Sequence, residues 1–312
     1  MKIFRTRAAS RLSMALAVLA FAPAASAQAG HPVTPSHVFQ ATQNLLSEIY
    51  ILREAMGIAD FPPESEPLAD LRSVHVYAKS LEVMEKIARA QRRLGMAPAN
   101  VESIPLKTIR SEDVLRSVEM SIGEIQRIKD ELVIDDRITP SDLEGAKTSS
   151  HAYKALGDVS FLLNGLVGRR ISPHDVYERI RKVDEDLALI AVRLGATLDT
   201  KLPAVEGRKQ AKEVAQQVLR ASSKIVGLER RLGMDTSRVP TLTLVRVTPA
   251  EVYEAAGILQ AEASRIKVHL GMTASHNEER SDPTTSRKQP TDVFAQVLLM
   301  IRNLDILIDA AA

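Results

Sequence analysis

Apolar residues return every three or four positions along most of this chain, the spacing that lines up one face of an α-helix. Val38, Leu45, Ile49, Leu52 and Met56 form one such stripe. Tyr77, Leu81, Met84, Ile87 and Leu94 form a second, and Val114, Val118, Ile122, Ile125, Ile128 and Leu132 a third. Leu156, Val159, Leu162, Leu163 and Leu166 give a fourth, and Val293, Val297, Ile301, Leu304 and Ile308 close the chain with another.

The stretch Val247–Met272 carries a complete set of start and stop signals. Thr248 suits an N-cap and Pro249 the first helical position, where its missing N–H costs nothing. Glu251 completes a capping box, and Val247 with Val252 can form a hydrophobic staple. Leu270-Gly271-Met272 reads as a C-terminal cap, with glycine in the left-handed conformation. Variants of this pattern recur. Ser172-Pro173 opens a helix ending at Leu194-Gly195, and Thr34-Pro35 opens one ending at Met56-Gly57, with His37 in the place of the capping acid. Thr139-Pro140 reads as another start, and Leu94-Gly95-Met96 and Leu232-Gly233-Met234 close two more helices.

A shift of 138 residues lays the chain on itself without gaps. Val38 falls on Val176, Gly57 on Gly195, Val114 on Val252, and Arg127-Ile128-Lys129 on Arg265-Ile266-Lys267. This register predicts an internal duplication. The expected fold is all-α, with about eight antiparallel helices in two tandem four-helix bundles, residues 28–170 and 171–312, and an αα solenoid as the alternative. The helices are expected near 35–56, up to Leu94, 112–132, from about Pro140, 173–194, 206–232, 249–270 and 290–309. The connections Ala97–Arg110 and Asp235–Val247 carry spaced apolar residues (Val101, Ile104, Leu106 and Ile109; Val239, Leu242, Leu244 and Val247) and are expected to lie along the helices. Thr273–Gln289 is polar and charged, the composition of a disordered segment.

Residues 1–27 read as a cleavable secretory signal peptide. Lys2, Arg5, Arg7 and Arg11 precede an apolar run from Met14 to Ala25, and Ala25-Ser26-Ala27 is a cleavage site of small residues. A periplasmic or secreted location is expected, with no membrane span after cleavage. Removing this segment takes four of the 41 basic residues and none of the 39 acids, which leaves 37 against 39 and a net charge of −2. A basic face for nucleic acid is therefore not expected. The chain has no cysteine, which excludes disulfides, thiolate metal sites and cysteine-linked lipid or haem.

Motifs of chemistry are sparse. No two histidines stand at a helical i, i+3 or i+4 spacing, and no Glu-x-x-His occurs, so no metal or cofactor site is expected. His75 and His269 fall within helices, where a surface or rim position is expected. Ser264-Arg265-Ile266-Lys267 matches Ser-x-x-Lys, but no Ser-Asp-Asn or Lys-Thr-Gly follows it, so no catalytic residue is assigned. The polar feature shared by the two halves is Arg127/Lys129 and Arg265/Lys267. Each pair flanks a buried isoleucine, so at least one cation of each is expected at the surface, where it could contact a partner. Tyr77, Tyr177 and Tyr253 are the candidate pocket groups for a ligand, because tyrosine supplies apolar area and one hydrogen bond. The reading is of an exported, non-enzymatic protein-interaction or scaffold module that binds another envelope protein or itself. A small-molecule-binding or sensory bundle is the alternative.

Overall fold

The computed structural model describes residues 32–64, 66–168, 170–236, 239, 247–272 and 287–311. The leader segment, most of the Asp235–Val247 connection, including Leu242 and Leu244, and residues 273–286 lie outside the described residues. Among the described residues eight helices carry the fold: α1 Pro35–Ala55, α2 Ser73–Arg93, α3 Ser111–Glu131, α4 Ser149–Val167, α5 Pro173–Leu194, α6 Ala211–Arg231, α7 Pro249–His269 and α8 Pro290–Ala310. None of the described helices is long and apolar enough to cross a membrane.

Helix starts are fixed by the third helical residue, whose side chain turns back to accept the N–H of the residue before the helix. Asp113, Asp175, Glu213, Glu251 and Asp292 do this with a carboxylate. His37, His75 and His151 do it with imidazole Nδ1. Helix ends close with the glycine pattern. Gly57, Gly95, Gly195, Gly233 and Gly271 all adopt positive φ, and the residue after each donates back across the last turn, as in Met96 N to Gln91 O at 2.9 Å. Val133 stands in that left-handed place after α3, with φ 56°.

Helices start at 35, 73, 111 and 149, every 38 residues, and again at 173, 211 and 249, with α8 three residues late. The 138-residue shift thus contains a shorter spacing. It brings Val38, Val76, Val114, Val176, Val214, Val252 and Val293 to the same fourth position of their helices, each with its side chain in the core. Two starts differ from the sequence expectation. The Thr139-Pro140 signal lies in a connection, and α4 begins at Ser149 after Ala146 takes a positive φ. Likewise α6 begins at Ala211, because Gly207 at φ 69° breaks the chain ahead of it.

Within each bundle the first helix does not touch the second, nor the third the fourth. Helix α1 packs on α3 and α4, and α2 packs on the same two. Helix α5 packs on α7 and α8, and α6 on those two. Each set of four is a bundle with α1 diagonal to α2 and α3 to α4, and likewise α5 to α6 and α7 to α8, whereas a solenoid would stack consecutive helices.

The expected antiparallel arrangement is overturned. A void of about 10 Å³ is lined by Pro35 and Val38, Ser73 and Val76, Ser111 and Val114, and Ser149 and Ala152, the opening residues of all four helices of the first bundle. A void of about 20 Å³ is lined by the opening residues of α5, α6, α7 and α8. Four helix starts meet at one end, so the four helices of each bundle are parallel. Connection length permits this. Seventeen residues, as between α1 and α2, reach up to ~56 Å extended, and a 21-residue helix is ~31 Å long. The chain returns along the bundle, with Ile104, Ile109, Leu68 and Leu71 packed on the first core.

Only five residues separate α4 from α5, so the second bundle runs the other way. His75 at the start of α2 meets Glu262 beyond the middle of α7, and Arg89 near the end of α2 meets Asp175 in the first turn of α5. The bundles join through α2 and α7.

Candidate functional site

The seam between the bundles is built from one face of α2. His75, Lys79, Glu82, Lys86 and Arg89 are spaced 4, 3, 4 and 3, a helical stripe of ionisable residues in the place where a core stripe would be apolar. In α6 the matching positions include Arg220, which is exposed, and Lys224, which pairs with Asp305 near the surface. In α2 the stripe is covered by α4, α5 and α7.

Glu82 is its centre. Arg179 of α5 donates to it at 3.0 Å, Lys79 at 3.2 Å and the Ser160 hydroxyl of α4 at 2.7 Å, with Lys86 at 3.8 Å. Burial by itself raises a carboxyl pKa, but the three cations and the hydroxyl outweigh it and hold Glu82 far below the usual carboxylate range. Lys86 is enclosed by Ser160 and Asn164, and burial pushes its ammonium down to about 8 despite Glu82. The Arg179 guanidinium lies 3.8 Å from the centre of the Tyr253 ring. It also rests against Gly257, where a Cβ would stand 2.8 Å from its Nη1.

At the far end of the seam His75 is 1 % exposed. Its Nδ1 accepts from Arg72 N at 2.9 Å, which leaves Nε2–H to donate to Glu262 at 2.6 Å. Glu262 also pairs with Arg265, which reaches Glu229 at 3.0 Å. Burial raises the Glu262 carboxyl pKa, and its hydrogen bonds and the Arg265 charge bring it below the ordinary value. The rim position expected for His75 is corrected: as the capping residue of α2 it points inward, onto the other bundle.

Beside the seam lies a cleft of about 1060 Å³, walled by α2, α5, α7 and the extended connection Asn100–Ile104. Its apolar strip is Ala78, Leu81, Val101, Ile104, Ala188 and Leu189. Its charges are of both signs: Arg89, Arg92 and Lys182 against Glu85, Glu102 and Glu185. The voids at the bundle starts hold at most one water, whereas the cleft admits a larger ligand.

The sequence-predicted residues distribute as follows. Lys129 is fully buried and donates to Glu48 at 2.6 Å, and Lys267 makes the matching pair with Asp186 on the cleft wall. These pairs are related by the 138-residue shift. Arg127 is exposed beside Glu124, whereas Arg265 is largely covered. The expectation of a surface cation in each pair therefore holds for Arg127/Lys129 and is corrected for Arg265/Lys267, because Glu262, Glu229 of α6 and the Asp235 carbonyl hold Arg265 and Asp186 of α5 holds Lys267. The tyrosines do not converge. Tyr77 belongs to the first core, Tyr177 borders the second beneath Lys288, and Tyr253 sits in the seam with its hydroxyl 3.3 Å from Glu85. Sequence reading missed Glu82, Arg179, Glu48 and Asp186. The legible signal was the 4, 3, 4, 3 spacing of ionisable residues in α2.

Among the described residues no group of three or more His, Asp or Glu side chains is arranged to hold a metal ion. Neither a protein-family model, nor a curated protein, nor a solved structure matches this chain.

Proposed function

We propose that this chain is an exported, non-enzymatic helical-repeat module that binds a protein partner of the cell envelope in the cleft between its two bundles. The observation that carries the reading is the cleft itself. An apolar strip between rims of mixed charge is the composition of a protein-binding patch, with an apolar centre and a polar edge. Both signs of charge favour a polypeptide with its own basic and acidic residues over a simple anion or cation. The leader-like residues 1–27 support export, and the −2 balance that remains speaks against nucleic acid.

The cleft can be filled without touching either core. Ala188 is exposed on its wall, and Ala188→Trp inserts a large ring there. Native mass spectrometry of protein purified gently from its own envelope is expected to give an increment of a whole polypeptide for wild type. Ala188→Trp is expected to lose that increment at unchanged melting temperature. A partner that survives Ala188→Trp, or a wild-type protein that always appears as a bare monomer, overturns the reading.

A further inference from the structure

The two bundles cap their helices with different chemistry. In the second, all four capping side chains are carboxylates: Asp175, Glu213, Glu251 and Asp292. In the first, Asp113 is the carboxylate and three of the four are imidazoles. His37 Nδ1 lies 3.1 Å from Thr34 N and 2.9 Å from its hydroxyl. His151 Nδ1 lies 3.3 Å from Thr148 N and 2.9 Å from its hydroxyl. These two helices, α1 and α4, pack on each other and start at the same end. An Nδ1 that accepts from a backbone N–H carries no proton. Adding one turns the acceptor into a donor and places a cation where four helix N-termini already concentrate positive potential. Histidine is the side chain that ordinarily changes charge between pH 5 and 8, and carboxylate caps stay ionised across that range.

We propose that His37 and His151 make the start of the first bundle acid-sensitive, so that mild acid uncaps α1 and α4 and leaves the helix starts of the second bundle in place. The starts of α2 and α3 bring Arg72, paired with Asp235, and Arg110, Glu112 and Asp113 to this end. Asp113 is already paired with Lys107 on the α3 side, and Lys147 is paired with Glu144 ahead of α4. Among the described residues no carboxylate lies within ion-pair distance of His37 or His151. His75 differs, because Glu262 of α7, itself held with Arg265 and Glu229, receives its other nitrogen. Its imidazole belongs to the seam between the bundles, and the proposal is confined to α1 and α4.

The test is hydrogen exchange read peptide by peptide between pH 7.5 and 5.0, corrected for the intrinsic exchange rate. It compares wild type with the double variant His37→Asp/His151→Asp, which carries the carboxylate cap of the second bundle. Wild type is expected to show about a fivefold rise in opening at the starts of α1 and α4 as the pH falls, the equivalent of one cap. The starts of α5 and α7 are expected to stay level, and the double variant is expected to stay level throughout. Equal behaviour of all four starts in wild type, or an acid response that persists in the double variant, overturns the proposal. If the variant folds poorly, His151→Asp alone serves, because the effect is then lost from α4 and kept in α1.

Discussion

Val133 occupies the one left-handed helix end, among those that follow this pattern, that has no glycine. A β-branched side chain at φ 56° is strained, at roughly 1–2 kcal/mol for a left-handed L-residue. Its side chain is 81 % exposed and recovers little of that by burial. Val133→Gly is expected to stabilise the protein by about 0.5–1 kcal/mol after the extra chain entropy of glycine is subtracted. The reverse change at the corresponding place after α6, Gly233→Val, is expected to destabilise by about 1–2 kcal/mol. Urea midpoints of the two variants should move in opposite directions, and a common direction would remove the cap assignment. Asp184 shows the other kind of local conflict. One carboxylate oxygen accepts from Gln296 at 2.5 Å, and the other is buried with no hydrogen-bond partner among the described residues. Burial raises its pKa to about 7, against the help of Gln296 and with a further push from Glu185. The folded protein thus keeps this proton at pH values where the unfolded chain has released it. Stability from this group is complete below about pH 4, falls as the pH rises towards 7, and is level above. Asp184→Asn is expected to be more stable than wild type by about 2 kcal/mol or more at pH 8, with the difference shrinking to near zero by pH 4. Thermal melts at the two pH values measure it, and a difference independent of pH would mean that the carboxylate is solvated.

At the scale of elements the parallel packing is directly testable, because the chain has no cysteine of its own. Ser73 and Ser111 open the consecutive helices α2 and α3 and line the same small void. Cysteines at both positions are expected to place spin labels within about 20 Å of each other, whereas an antiparallel pair of 21-residue helices would hold them ~31 Å or more apart. A long distance by pulsed electron resonance would refute the parallel bundle. The helices themselves were legible from their stripes, caps and glycines, and α5, α7 and α8 fall within a residue of the expected bounds. Direction was not legible from those signals, since an apolar stripe reads the same in either sense. The information lay in the connections: antiparallel neighbours commonly need 2–8 residues, and the regular seventeen of this chain are enough for a full return. The false start at Pro140 has a similar cause. A proline after threonine fits a helix N-terminus and also fits an extended connection, and only the 38-residue spacing separates the two. The site was the least legible part. The ionisable stripe of α2 reads as a solvated face, and only the second bundle, placed against it by the short α4–α5 link, turns it into a buried network.

At the scale of the whole molecule, four parallel helices sum their dipoles, so each bundle carries roughly two positive charges at its starts and two negative at its ends. Side chains answer this at both ends. Carboxylates gather at the starts of the second bundle, while Arg53, Lys129 and Lys267 are buried in the last turns, where Arg53 donates to Leu162 O at 2.5 Å and Lys129 to Asp136 O at 2.5 Å. Setting the bundles head to tail brings ends of opposite sign together, and the Arg89–Asp175 pair lies at such a meeting. The diagonal order of the helices also governs how the chain must assemble. Helix α1 does not touch α2, and its first helical partner, α3, begins more than fifty residues after α1 ends. Helix α2 can meet α3 across a seventeen-residue connection, whereas α1 and α4 join the bundle only by closing loops of more than fifty residues, so long-range closure governs its completion. A nascent chain of this order leaves α1 without a helical partner until α3 has been made.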